Sequence, residues 1–237
     1  MKNWYWNRDN FESLVWLADR LCEVPELVRL ADYCRLREKG LRKQALAALR
    51  KFLTEAALLA EEKRLALSLH LLELRHAAPG AHQFLAQPLI DELILPSLRQ
   101  AAQPGNEAFR QLALFLGEQD DLRTALRHDP ADERVRKRLA DLLLGYADYA
   151  MHHLDESCFI GSEEYCRSVL DEAANLLDPK IADPEVFHYL IADHAELSAM
   201  FTDWREYKAQ DQAVPFPEWC AGRGRDYGWS QKFYYGA

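Results

Sequence analysis

The sequence lacks the short motifs that mark the common enzyme classes. It contains no HExxH, GxSxG, Walker or GxGxxG pattern, and so carries no signature of a zinc protease, a serine hydrolase or a nucleotide-binding protein. Glycines do cluster in residues 221–226, but no strand is predicted before them and no Lys-Ser/Thr pair follows them. We therefore predict that the protein is not an enzyme and holds no catalytic residue, no metal and no cofactor.

Cysteines and long apolar runs are also scarce. The 5 cysteines are odd in number and form no CxxC pair, which favours reduced thiols over a disulfide framework. The most apolar window, residues 65–72, is far shorter than the roughly 20 residues of a membrane-spanning helix. Residues 1–10 lack the apolar core of a signal peptide. These absences predict a soluble, cytoplasmic protein that does not bind membranes.

No stretch alternates apolar and polar residues for long enough to predict a β-strand, whereas a helical period recurs along the chain. The clearest example is the stretch 132–154. Its apolar positions are Leu139, Leu142, Leu143, Tyr146, Ala150 and Leu154. A Gln-Pro-Gly break at 103–105 interrupts the helical pattern. We predict an all-α protein with an N-terminal helical region, 1–103, and a second region, 104–237, an organisation also compatible with one continuous domain.

Two segments share one turn signal. Thr124–Pro130 and Glu172–Pro179 each run from a helical pattern into Asp-Pro, and a new helical pattern follows. Here the chain resembles tetratricopeptide-type (TPR) helical repeats, in which a helix pair ends in a similar turn. The matching residues are Ala125, Asp129 and Pro130 in one unit and Glu163, Glu164, Tyr165, Ala173, Asp178 and Pro179 in the other.

The resemblance covers residues 106–208 and departs from the family in its spacing. Pro130 and Pro179 are 49 residues apart, whereas a TPR unit has about 34 residues. The resemblance therefore implies an irregular, TPR-like α-solenoid of stacked antiparallel helix pairs that serves as a protein-binding scaffold.

Aromatic residues are concentrated at both ends of the chain. They are Trp4, Tyr5 and Trp6 at one end and Trp219, Tyr227, Trp229, Phe233, Tyr234 and Tyr235 at the other. Because a solenoid must cover its terminal apolar faces, we predict an aromatic C-terminal cap. The alternative is that these rings anchor a binding partner.

Acidic residues are concentrated in the second half of the chain. The net charge is −9, and residues 139–219 contain 17 acidic side chains against 4 basic ones. On the helix predicted at 132–154, Asp141 and Asp148 are seven residues apart, and Asp155 continues the spacing, so the three carboxylates are expected to form one exposed ridge. The full predicted binding surface is Asp141, Asp148, Asp155, Glu156, Glu163 and Glu164.

This acidic surface predicts a non-enzymatic module that binds a basic protein partner. A sharper form of the hypothesis is a bacterial immunity or antitoxin-type protein that neutralises a cationic toxin. Small size, localised acidity and the missing catalytic motifs motivate that form.

Two other function classes stay open at this point. A hydrolase or metal-dependent enzyme would use His152, His153 or His194, with Asp155 near the first two in sequence. A nucleic-acid-associated regulator would use the basic run 35–51, although the overall acidity argues against nucleic acid. The same run would alternatively meet the acidic surface of a second copy and form a homodimer.

Overall fold

The computed structural model describes residues 8–210 and 213–228, and it divides the chain into two compact units, residues 1–115 and 116–237. Every regular element in the described residues is helical, which confirms the all-α prediction. Within the same residues, no helix combines the length and the apolarity that crossing a bilayer requires. Several of the end aromatics lie outside the described residues, namely Trp4, Tyr5, Trp6, Trp229, Phe233, Tyr234 and Tyr235.

The first unit is built from helices that share one apolar core. They are α1 (Arg8–Leu21), α2 (Val28–Glu38), α3 (Arg42–Ala56), α4 (Glu61–Ala77), α5 (Gln87–Leu89), α6 (Leu95–Ala101) and α7 (Glu107–Leu116). A 3-10 turn, Pro25–Leu27, precedes α2, and a π-helical segment, Ile90–Ile94, joins α5 to α6. Their apolar faces form one core that includes Leu14, Leu30 and Leu71, all fully buried.

Glycine and proline end or modify two of these helices. Gly40 follows α2 with φ +73°, a left-handed conformation that glycine adopts without a steric penalty. Pro96 lies in the first turn of α6, directly after the π segment. Because proline has no N–H to donate, the wider π turn accommodates it inside an otherwise continuous helical stretch.

The second unit is organised around one central helix, Glu133–Met151. Its helices are α8 (Gln119–His128), α9 (Glu133–Met151), α10 (Glu163–Leu176), α11 (Pro184–Lys208) and α12 (Phe216–Ala221), with a 3-10 turn at Leu154–Glu156. Helix α9 contacts α8, α10 and α11. Leu139, Leu143 and Ala150 are buried as the helical period predicts.

The two Asp-Pro segments form matching turns between consecutive helices. The carboxylate of Asp129 accepts the Ala131 N–H at 3.1 Å, and that of Asp178 accepts the Lys180 N–H at 2.9 Å. Between these turns lies the buried guanidinium of Arg136, which donates to the Pro130 carbonyl and the Ile181 carbonyl. One side chain of α9 thus joins the two turns that the sequence signal identified.

Helix α12 packs its aromatic side chains against the C-terminal part of α11. Phe216 is fully buried, and its ring centroid lies 5.3 Å from that of Tyr207 and 5.4 Å from that of Trp204. The Phe216 N–H also donates to the Ser157 hydroxyl at 2.9 Å. These contacts give α12 a fixed place in the unit, while its role as the cap of a solenoid stays a prediction.

Candidate protein-binding groove

A groove of about 410 Å³ lies between α9 and α11, and its rim is acidic. Asp141 and Asp148 line it from α9, and Asp193 and Glu196 line it from α11. All four side chains are exposed, and no lysine or arginine lines the groove in the part of the chain that the structure describes. Seven helical residues separate Asp141 from Asp148, which places them about 10 Å apart along α9.

The floor of this groove is apolar. Leu144 from α9 and Leu190 and Leu197 from α11 are buried beneath the carboxylates, and Met200 is half-buried beside them. Gly145 also lines the groove, and a Cβ added there would meet no atom within 4 Å. The surface therefore combines a narrow apolar strip with two acidic margins.

Tyr227 also lines the groove, and the segment 225–227 that carries it is fastened to α11 by a buried carboxylate. Asp203 is fully buried, forms an ion pair with Arg225 and accepts a hydrogen bond from the Tyr227 hydroxyl. Burial raises the pKa of Tyr227, Arg225 lowers it, and Glu196 raises it. A tyrosine hydroxyl is protonated at neutral pH, and the upward pKa shift extends that protonated range, so Tyr227 donates to Asp203 while it lines the groove.

Two of the six sequence-predicted acidic residues line the groove, and three of the others have separate positions. Asp141 lies 3.3 Å from Arg138, and Asp148 has no ion pair among the described residues. Glu163 accepts a hydrogen bond from the indole N–H of Trp204 at 2.9 Å, and Glu164 is exposed in the first turn of α10. Glu156 Oε1 lies 3.7 Å from His153 Nδ1. The ridge and the groove therefore overlap only at Asp141 and Asp148.

The expected position of Asp155 on the exposed ridge is wrong. Helix α9 ends at Met151, so the helical spacing that relates Asp141 to Asp148 does not continue to Asp155. The chain instead forms the 3-10 turn, in which Asp155 is 8% exposed and accepts the Glu156 N–H at 2.9 Å. Its carboxylate stabilises this turn and does not extend the acidic surface.

Sequence reasoning missed Asp193 and Glu196, which form the second acidic margin. They lie three residues apart on α11, more than 40 residues from the carboxylates that they face across the groove. Their helix has an apolar face that includes Leu190 and Leu197, which lie seven residues apart. A prediction that also considered the acidic residues beside this apolar face would have identified the α11 margin of the groove. It would not have shown that this margin faces α9.

The histidines of the enzyme hypothesis occupy two separate environments. The His152 Nδ1–H donates to the Tyr149 carbonyl at 2.8 Å. The His194 Nε2–H donates to the Leu170 carbonyl at 3.1 Å. Because that nitrogen already carries a proton, it does not act as a base toward Ser198, whose hydroxyl lies 3.3 Å away.

One group of side chains near the end of α9 has the composition of a metal site. Ligand atoms of His153, Asp155 and Glu156 lie within 4.8 Å of one another. The carboxylate of Asp155 is already engaged with the backbone of its own turn, and the other two side chains are about half exposed. Within residues 8–210 and 213–228, this group supplies three ligand side chains, one fewer than the four of a structural zinc site.

The basic run of the first unit lines a different cleft, between α2 and α3. Arg35, Lys39 and Lys51 border a space of about 510 Å³. Arg35 is partly neutralised, because it lies 3.6 Å from Asp19 and 4.0 Å from Asp32. Among the described residues, no aromatic side chain lines this cleft, so it offers no stacking surface for nucleic-acid bases.

No protein-family model matches this sequence, and no curated protein or solved structure matches it either.

Proposed function

We propose that the protein is a non-enzymatic interaction module that binds a basic protein partner in the groove between α9 and α11. The observation that carries this proposal is the pairing of four exposed carboxylates with an apolar floor. Two acidic margins attract a cationic surface, and the half-buried Met200 between them offers that surface an apolar contact. An amphipathic helix with basic residues flanking an apolar stripe has the matching chemistry.

The spacing of the margins sharpens the description of the partner. Asp141 and Asp148 are separated by two turns of α9, and Lys or Arg residues at positions i and i+7 of a partner helix have the same separation. Exposed ion pairs of this kind contribute little to final affinity, typically below about 1 kcal/mol each. The acidic margins therefore act chiefly by accelerating association, and contacts with Met200 and in the open space at Gly145 help to hold the bound partner.

An immunity or antitoxin-type role is the more specific form of this proposal. Such a protein meets a cationic toxin in the cytoplasm of a bacterium and occupies its basic surface. The concentration of acidic residues in 139–219 supports this form, because a net-negative surface attracts that class of partner over a distance of several ångströms.

We further propose that the helices follow an irregular, TPR-like solenoid with α12 as its aromatic cap. The matching turns at Asp129 and Asp178, joined through Arg136, support a repeated helix pair. The packing of Phe216 and Trp219 onto α11 supports the cap, since it covers apolar side chains at the end of the described chain.

Binding of a defined peptide tests the proposed groove. The probe is a synthetic amphipathic helix with Lys at i and i+7 around a Leu stripe, and its control has the same composition in scrambled order. We expect the amphipathic peptide to bind more tightly than the scrambled one at equal charge. Equal binding of the two peptides would show that only bulk charge is recognised and would contradict the proposal.

Gly145 offers a steric test that leaves the charge unchanged. A side chain at this position enters open space, so Gly145→Leu is expected to fill part of the groove without disturbing α9. Replacing a helical glycine also favours the helix, by about 0.5–1 kcal/mol. We expect Gly145→Leu to keep or raise the melting temperature and to weaken binding of the amphipathic peptide. Gly222→Leu on α12's end serves as the matched control, because that residue does not line the groove.

A further inference from the structure

Two of the few basic residues in the acidic stretch line a single cleft. Residues 139–219 contain only four basic side chains, and two of them are Arg167 and Arg205. Arg167 belongs to α10 and Arg205 to α11, and both border a cleft of about 440 Å³ between these helices. This cleft lies on a different set of α11 residues from the acidic groove.

Neither arginine forms an ion pair among the described residues, although acidic side chains are close by in sequence. Asp171 is one helical turn after Arg167, and Glu206 directly follows Arg205. Both carboxylates also line the cleft. The two guanidinium groups therefore keep their N–H donors available to a ligand.

Other arginines of the same unit behave differently. Arg123 binds Glu172 through two hydrogen bonds of 2.7 Å, and Arg138 lies 3.3 Å from Asp141. Arg123 and Arg138 thus each bind a carboxylate close to them. The unpaired state of the two cleft arginines distinguishes them from these neighbours.

A hydroxyl group adds a third donor to the same cleft. The His194 Nε2–H is shared between the Leu170 carbonyl at 3.1 Å and the Ser198 hydroxyl oxygen at 3.3 Å. Because Ser198 accepts this proton, its own O–H is left to donate elsewhere, and the side chain lines the cleft. The buried rings and methyl groups of Phe201 and Leu170 supply an apolar wall beside these donors.

We propose that the cleft between α10 and α11 binds a small molecule through an oxyanion, either a phosphate or a carboxylate group. Arg167 and Arg205 bind its oxygens, and Ser198 donates a further hydrogen bond. The planar guanidinium fork matches both kinds of oxyanion, and the volume of about 440 Å³ falls in the range of small-molecule sites.

Titration with inorganic phosphate and with acetate tests this proposal and separates its two possible oxyanions. Binding is measured by calorimetry on the full chain at constant ionic strength, so that general salt effects cancel. We expect saturable binding of at least one anion. Because hydrogen bonds between charged groups are the strong ones, Arg167→Gln with Arg205→Gln is expected to weaken it at least about tenfold. The lysine pair, Arg167→Lys with Arg205→Lys, retains charge without the fork and is expected to give an intermediate loss.

Lys180→Gln is the control, because it removes a positive charge from the same acidic stretch outside the cleft. Both arginines are exposed, so the variants are expected to fold, which circular dichroism checks. Absence of saturable binding with both anions would overturn the proposal. Equal binding by the glutamine pair and the natural protein would also overturn it.

Discussion

Replacing Arg136 with methionine removes the contact that joins the two Asp-Pro turns of the second unit. Arg136 is 5% exposed, and its guanidinium donates to the Pro130 carbonyl and the Ile181 carbonyl. Methionine fills much of the same volume but offers no donor. Each hydrogen bond from a charged group contributes about 1.5–3 kcal/mol. Both turns are exposed, so water partly replaces the lost donors, and we expect Arg136→Met to lower the free energy of unfolding by about 3 kcal/mol.

Urea denaturation followed by far-UV circular dichroism measures this loss. Arg136→Lys keeps the charge but cannot donate to both carbonyls in the same geometry, so it is expected to lie between the natural protein and the methionine variant. Arg127→Met is the matched control, because Arg127 is exposed and its loss should change stability by no more than about 0.5 kcal/mol. If Arg136→Met and Arg127→Met cost the same, the two turns do not depend on this side chain.

Three further outcomes are expected. Phe216→Ala should lower the free energy of unfolding by about 3–5 kcal/mol, measured by urea denaturation, because it leaves a cavity in a cluster of aromatic rings. Phe216→Leu should lower it much less, because leucine fills more of that space. Equal losses for the two variants would refute the packing argument. Thiol titration of the folded protein should modify Cys22 and Cys158 first, because they are exposed. Burial raises the pKa of Cys34 to about 12, so this thiol stays protonated and should react late. Early modification of Cys34 would contradict this expectation. Elemental analysis should find no stoichiometric zinc, and one zinc per chain that is lost in His153→Ala would disprove this expectation.

The helical pattern of the sequence was sufficient to predict the fold class and much of the core. In α9, Leu139 and Leu143 are buried where a 3.6-residue period requires it. The turns at Asp129 and Asp178 were also visible, since Asp-Pro is a local signal whose hydrogen bonds reach only two residues ahead. Both features are determined by residues close together in the chain, so they can be predicted from the sequence alone.

The candidate groove was only half predictable, because its two margins come from distant parts of the chain. The α9 margin followed from the seven-residue spacing of Asp141 and Asp148. The α11 margin required knowing that α9 and α11 pack together, which no local pattern states. Asp155 shows the opposite error. The prediction extended the helical period one turn beyond Met151, where α9 ends, and therefore placed a buried carboxylate on the surface.

The association rate of the amphipathic cationic peptide with the Asp141→Lys, Asp148→Lys double variant tests the central claim most directly. Glu133→Lys with Glu218→Lys is the control, because it makes the same change in net charge at exposed positions outside the groove. Stopped-flow mixing at low salt should show the groove variant associating at least about tenfold more slowly than the control, with the gap shrinking as salt screens the charges. Equal association rates of the two variants at low salt would contradict the claim that the groove captures a basic partner.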